Sequence, residues 1–135
     1  MLCLFTAFLS AAQVLNDPKE AFQQSAQSGK NVLLVFSGSD WCIPCIQFEK
    51  KILSDPAFEA FATQNLIVLK ADFPQKKKIP EILKSQYEAL ADQYNPTGNF
   101  PYIILISPDK KLLGNFIYQQ QSVATFISDL KKAAR

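Results

Sequence analysis

Histidine is absent from the 135 residues, which excludes an imidazole base from any chemistry this chain performs alone. Cysteine is nearly as scarce, with three in all. A structural zinc site takes four N or S ligands, and three cysteines without histidine argue against one within a single chain. Neither sign of charge is in excess: the net charge is +2, and the basic residues are dispersed apart from Lys76-Lys77-Lys78. That pattern does not suggest nucleic-acid binding. The lysine run reads as a solvated loop, with contact to an acidic partner protein as the alternative. The N-terminal apolar run Leu2 to Leu9 is too short to span a bilayer. No internal repeat or low-complexity linker occurs.

What is present suits one compact domain. The chain is 48% hydrophobic and 12% aromatic, enough to bury a single core but hardly two, and eleven phenylalanines supply much of it. The most informative stretch is Trp41-Cys42-Ile43-Pro44-Cys45, which follows the apolar run Val32-Leu33-Leu34-Val35-Phe36 after four residues. Two cysteines three apart at a helix start lie on one side of the turn, close enough to make and break a disulfide. Cys42 is then the attacking thiol. At a helix N-terminus, free N–H groups and the macrodipole favour its thiolate and lower the pKa below the usual value of about 8.5. Cys45, one turn further in, is shielded. Pro44 suits the first turn, where a missing N–H costs nothing.

Caps and periodicity order the elements. Asp17-Pro18-Lys19-Glu20 opens a helix over 18–28 that stops near Gly29. A strand follows at 31–36. After the cysteines, Ile46, Phe48, Ile52 and Leu53 mark a helix that Ser54-Asp55-Pro56 breaks or restarts, with Phe58 and Phe61 lining its second part. Leu66 to Ala71 is the second strand. Pro80 opens a helix whose Ile82, Leu83, Tyr87, Leu90, Ala91 and Tyr94 recur at three- and four-residue steps, and Asn95-Pro96-Thr97-Gly98-Asn99 ends it. Tyr102–Ser107 and Leu112–Tyr118 read as a hairpin around Pro108-Asp109-Lys110. A last helix starts near Ser122, with Val123, Phe126, Ile127 and Leu130 on its apolar face. The order α-β-α-β-α-β-β-α predicts an α/β fold: a four-stranded mixed sheet with helices on both faces and an extra N-terminal helix.

In the strand at 32–36, the Trp-Cys-x-Pro-Cys motif, a second strand ending at Asp72, and Phe100-Pro101 before a third strand, the chain resembles the thioredoxin superfamily over residues 17 to 134. The string Phe36 to Cys42 also resembles small exported thioredoxin-like proteins of Bacteroidetes-type bacteria. The resemblance implies a thioredoxin-like fold and a Cys42-Cys45 dithiol/disulfide cycle without cofactor or metal. It implies a cis Pro101 facing the disulfide and holding the substrate strand, with the backbone of Phe100 pairing with that strand in β fashion. Trp41 roofs the site. Ile43 and Pro44 complete the substrate-binding residues.

Three departures from ordinary thioredoxin stand out. The buried acid six residues before the first cysteine is Phe36 here, which removes an aid to deprotonating Cys45; Asp40 and Asp72 are the candidates for a substitute through water, and Phe36→Asp is expected to speed reduction. Ile43-Pro44 stands in place of Gly-Pro, and with Phe100 it makes the groove crowded and apolar. The segment Phe73 to Gly98 is long, and reads as a surface loop, a lid or a docking edge.

The N-terminus bears on compartment. Leu2 to Leu9 has the length of a short signal-peptide core, and Ser10-Ala11-Ala12 supplies small residues for cleavage before Gln13, although a basic leader is missing. Residues 1–12 are read as a signal-peptide remnant, with an apolar first element as the alternative, and 13–135 as the domain. Cys3 then belongs to the targeting segment. The expected function is a thiol-disulfide oxidoreductase acting outside the cytoplasm, periplasmic or otherwise exported, that reduces disulfide-containing proteins as a monomer and draws electrons from a membrane donor. The alternatives are a disulfide oxidase or isomerase, and a non-catalytic binding module with a structural disulfide.

Overall fold

Local signals in the sequence account for most element boundaries. In the computed structural model, which describes residues 13–135, Asp17 caps helix α1 (Pro18–Ser28) by accepting the Lys19 N–H at 2.9 Å, with Pro18 in the first turn. Gly29 ends it at φ 76°, the left-handed region, and returns its N–H to Ser25 at 2.9 Å. Asp55 and Pro56 start α3 (Pro56–Asn65) in the same way, and Ser122 caps α5 (Val123–Ala133) through the Thr125 N–H. The expectations placed on Cys3 and on the segment 1–12 lie outside the described residues.

The strands are β1 (Val14–Leu15), β2 (Asn31–Ser37), β3 (Leu66–Asp72), β4 (Tyr102–Ile106) and β5 (Leu112–Phe116), in the spatial order β1-β3-β2-β4-β5. β2 runs parallel to β3 and antiparallel to β4, and β4 and β5 form the expected hairpin. The sheet is mixed and carries helices on both faces, as the sequence predicts, but it has five strands rather than four. The addition is β1, which pairs Val14 with Val68 and Leu15 with Leu69. Two residues carry no readable period, and they become a strand only because the edge of β3 offers unpaired backbone groups and a buried seat for Leu15. Tyr87 fixes this edge by donating its hydroxyl to the Asn16 carbonyl at 2.6 Å. Burial, with the negative charges of Asp72 and Asp17, pushes the Tyr87 phenol above its ordinary value of 10.0 and keeps it a donor.

β2 is apolar from Val32 to Phe36 because both its faces are covered. Leu33 and Val35 pack with Phe48, Phe58 and Phe126 under α3 and α5, while Val32, Leu34 and Phe36 pack with Ala21 and Tyr87 under α1 and α4 (Glu81–Tyr94). Two helix expectations change in detail. α2 (Ile43–Phe48) passes into a wide π turn over 49–53, in which the Ser54 N–H reaches the Glu49 carbonyl five residues back. Phe48, Ile52 and Leu53 are all buried in one core cluster across this wide turn. In α4, Ile82 fits the apolar spacing but is 67% exposed. It lies in the first turn, and it is Leu83 that packs against the core.

Candidate active site

The site forms where the C-terminal end of β2 turns into α2. Cys42 is the N-cap of α2: its backbone is extended, and its sulfur accepts the Cys45 N–H at 3.3 Å. Cys42 and Cys45 are disulfide-bonded, with Cα atoms 5.3 Å apart, and both are buried. The turn that presents them is closed at Gly38, whose carbonyl accepts the N–H groups of Cys42 (2.9 Å) and Trp41 (3.3 Å). The Gly38 N–H in turn lies 3.5 Å from the Cys45 sulfur. Glycine is required here by close approach, because a Cβ would lie 2.4 Å from the Trp41 ring.

Trp41 is 37% exposed and lies across this turn. Its indole N–H donates to the Phe73 carbonyl at 2.7 Å, and its ring meets Phe100 edge-on at 5.5 Å. Phe100 meets Phe73 at 5.5 Å, and Phe73 continues to Phe36 and Tyr87, so the roof of the site is the outer end of an aromatic cluster rooted in the core. Ile43 is 68% exposed and Pro44 is also open to solvent. The Phe100-Pro101 peptide is cis. Its approach is set by the buried Asn95, whose side chain donates to the Asn99 carbonyl at 2.9 Å and accepts the Asn99 N–H at 3.0 Å.

The residues considered as substitutes for a buried acid are engaged elsewhere. The Asp72 carboxylate accepts the Ser39 N–H (2.9 Å) and hydroxyl (2.6 Å) and pairs with Lys77 at 3.3 Å. Asp40 accepts three consecutive backbone N–H groups, from Gln75 (2.8 Å), Lys76 (2.8 Å) and Lys77 (3.0 Å). These bonds, that of Gln75 foremost, hold its carboxyl below the ordinary value of 3.8 against the opposing effect of burial. Phe36 is fully buried among Phe73 and Tyr102, with ring centroids 6.4 and 6.2 Å away. Among the described residues, no group of three or more Cys, Asp or Glu side chains converges to hold a metal ion.

A family model described as thioredoxin-like matches residues 13–108. The chain belongs to the thioredoxin-like family. It is 35% identical over 116 residues to a protein named disulfide bond reductase DsbH from Chlamydia pneumoniae, an alignment covering 86% of this chain and 69% of that one. A thioredoxin-related protein DsbJ of the same organism is 27% identical over 95 residues, 70% of this chain and 27% of the relative. Among solved structures, a DsbH oxidoreductase superposes with a TM-score of 0.83 at 31% identity, covering 98% of this chain and 92% of that chain. The C-terminal domain of DsbD from Neisseria meningitidis shares the fold at a TM-score of 0.63 and 19% identity, covering 85% and 92%.

The cysteine pair and the tryptophan before it are legible in the sequence, and the cis proline follows there only from the family resemblance. Gly38, Ser39 and Phe73, which build the turn and seat the indole, take their roles only from the tertiary structure. The Gly-Ser-Asp string before Trp41 was the available signal, since small and acidic residues between a strand and a helix mark a tight, side-chain-bonded turn.

Proposed function

We propose that the chain is a thiol-disulfide oxidoreductase that reduces protein disulfides outside the cytoplasm. The observation that carries the reading is the Cys42–Cys45 disulfide at the start of α2, joined through Trp41 and Phe100 to the cis Pro101. The likeness to a relative named for disulfide reduction supports the direction of electron flow.

In the reduced chain, the Cys42 thiolate attacks one sulfur of a substrate disulfide, forming a mixed disulfide and releasing the other sulfur as a thiolate that takes up a proton. Cys45 loses its proton and attacks the Cys42 sulfur. That closes Cys42–Cys45 and releases the second substrate thiol, so two electrons and two protons have passed to the substrate. A dithiol donor restores the reduced pair, and its placement at a membrane follows from the exported reading. Cys42 is the nucleophile because it caps α2, where N–H groups stabilise the thiolate. The Gly38 N–H stabilises charge on Cys45 as it forms. Phe100 and Pro101 offer backbone to an extended substrate, and Trp41, Ile43 and Pro44 supply the apolar surface beside it. The chain works as a monomer. Export is supported by the apolar, small-residue-terminated segment 2–12.

The test is the reduction potential of the pair, by equilibration with dithiothreitol or glutathione and alkylation. A potential around −270 mV supports the reductase, and one around −120 to −180 mV an oxidase or isomerase. A value far below about −300 mV with slow exchange makes the bond structural and the domain a binding module. Cys45→Ser is expected to trap substrates as mixed disulfides, and Cys42→Ser to abolish exchange.

A further inference from the structure

The lysine run 76–78 takes no part in the chemistry above, yet it is tied to the active-site turn from two sides. Asp40, the residue before Trp41, holds the backbone of Gln75, Lys76 and Lys77 through its three hydrogen bonds. Trp41 itself holds Phe73. The segment 73–77 is therefore a fixed neighbour of the roof over the disulfide. Between this segment and the first turns of α4 lies a cleft of about 330 Å³, lined by Phe73, Ile79 and the buried Tyr87 and by the exposed Lys77, Lys78 and Lys84.

The charges here do not cancel. Asp40 is occupied by backbone N–H groups, and Asp72 by Ser39 and Lys77. Lys76, Lys78 and Lys84 form no ion pair among the described residues, and Glu81 is the one further carboxylate in the cleft lining. The edge beside the disulfide is net positive. Its positive charge is carried on flexible ammonium groups, because the three N–H groups that would cradle a compact anion such as phosphate are already given to Asp40. Mobile ammonium groups beside an apolar cleft suit carboxylates spaced along a chain.

We propose that this edge selects the redox partner: the preferred substrate disulfide is flanked by an acidic segment whose carboxylates lie along Lys76, Lys78 and Lys84 while its cysteine meets Cys42. The proposal rests on the reductase reading of Cys42 and Cys45. Exposed charges at the rim of a docking surface act mainly on the association rate and its salt dependence, over a screening length of about 8 Å at physiological ionic strength.

The test uses the reduced full chain and three peptides that share one internal disulfide and differ only in acidic, neutral or basic flanks. The second-order rate of oxidation of the chain is measured at low and high salt. At low salt the acidic peptide is expected to react about tenfold faster than the neutral one, with the advantage lost at high salt. In the triple variant K76Q/K78Q/K84Q, all at exposed positions, the acidic rate is expected to fall to the neutral rate while the neutral rate is unchanged. Equal acidic and neutral rates in the parent chain, or a preference that survives in the triple variant, overturn the proposal. Salt-sensitive binding of the parent chain to anionic lipid vesicles without any peptide preference assigns the lysines to a membrane surface and overturns it as well. If none of the three peptides is reduced, it is the reductase reading that fails, and the docking proposal falls with it.

Discussion

Ser39 and Asp72 are joined twice, the backbone N–H of Ser39 to one carboxylate oxygen at 2.9 Å and its hydroxyl to the other at 2.6 Å. This clamp ties the turn before the cysteines to the end of β3, 33 residues away, and Asp72 is buried while it does so. Hydrogen bonds to a charged group contribute about 1.5–3 kcal/mol each, and removing one partner leaves the other unsatisfied. Asp72→Ala is therefore expected to cost about 2–4 kcal/mol in urea unfolding. Ser39→Ala, which keeps the backbone bond, is expected to cost less. Equal costs for the two variants would show that the hydroxyl carries the whole clamp.

Gly38→Ala places a methyl group where the Trp41 ring lies, with a Cβ to ring-carbon distance of 2.4 Å. The indole must move, and with it the 2.7 Å bond to Phe73. The expected outcome is a red-shifted Trp41 emission, readily quenched by acrylamide, and slower reduction of protein disulfides. The single tryptophan of the chain makes the reading unambiguous. Emission and quenching identical to the parent would mean that the ring is not held at this site.

Phe36→Asp is attractive on sequence grounds, as a way to restore a proton acceptor near Cys45. The packing adds a cost in stability. Phe36 is fully buried, and its cluster contains Phe73, Tyr102 and Tyr87. Replacing it leaves a cavity and a carboxyl group in apolar surroundings, an expected loss of about 3–5 kcal/mol. Urea unfolding at pH 7 and pH 5 tests this. Burial raises the carboxyl pKa in the folded state, so the variant is expected to recover part of its stability at the lower pH. Stability equal to the parent at both values would show that the carboxyl has found a polar seat.

Asp40 predicts an acid transition confined to the loop. Its folded pKa lies below 3.8, chiefly through the Gln75 N–H. A depressed carboxyl contributes order above its unfolded value and loses it as pH falls through the folded value. The amides of Gln75, Lys76 and Lys77 are expected to keep their bonded chemical shifts through pH 3.8 and to shift together on further acidification, and Asp40→Asn is expected to abolish that step. Amides that titrate at or above 3.8 would contradict the three-bond geometry.

What the sequence determined by itself is what neighbouring residues decide among themselves. Asp17-Pro18 with Gly29, Asp55-Pro56, and Ser122 bound helices because each cap satisfies backbone groups within a few residues. The continuous apolar runs of β2 and β4 mark strands covered on both faces, and the two cysteines at 42 and 45 share one side of a helix turn wherever the fold places them. What only the tertiary structure decided involves partners distant in the chain. β1 exists because β3 presents an open edge to it, and Ile82 is exposed although its spacing is that of a core residue. The π turn after α2, closed by the Ser54 N–H on the Glu49 carbonyl, has no signal in the residue spacing, and Phe48, Ile52 and Leu53 share one core across it. In the site, Asp40 and Asp72 are candidates in the sequence to replace a buried acid through water, but one is bonded to amides 35 to 37 residues away and the other to a serine 33 residues away. A carboxylate takes whichever donors the fold leaves unpaired beside it, and sequence spacing carries no record of which those are.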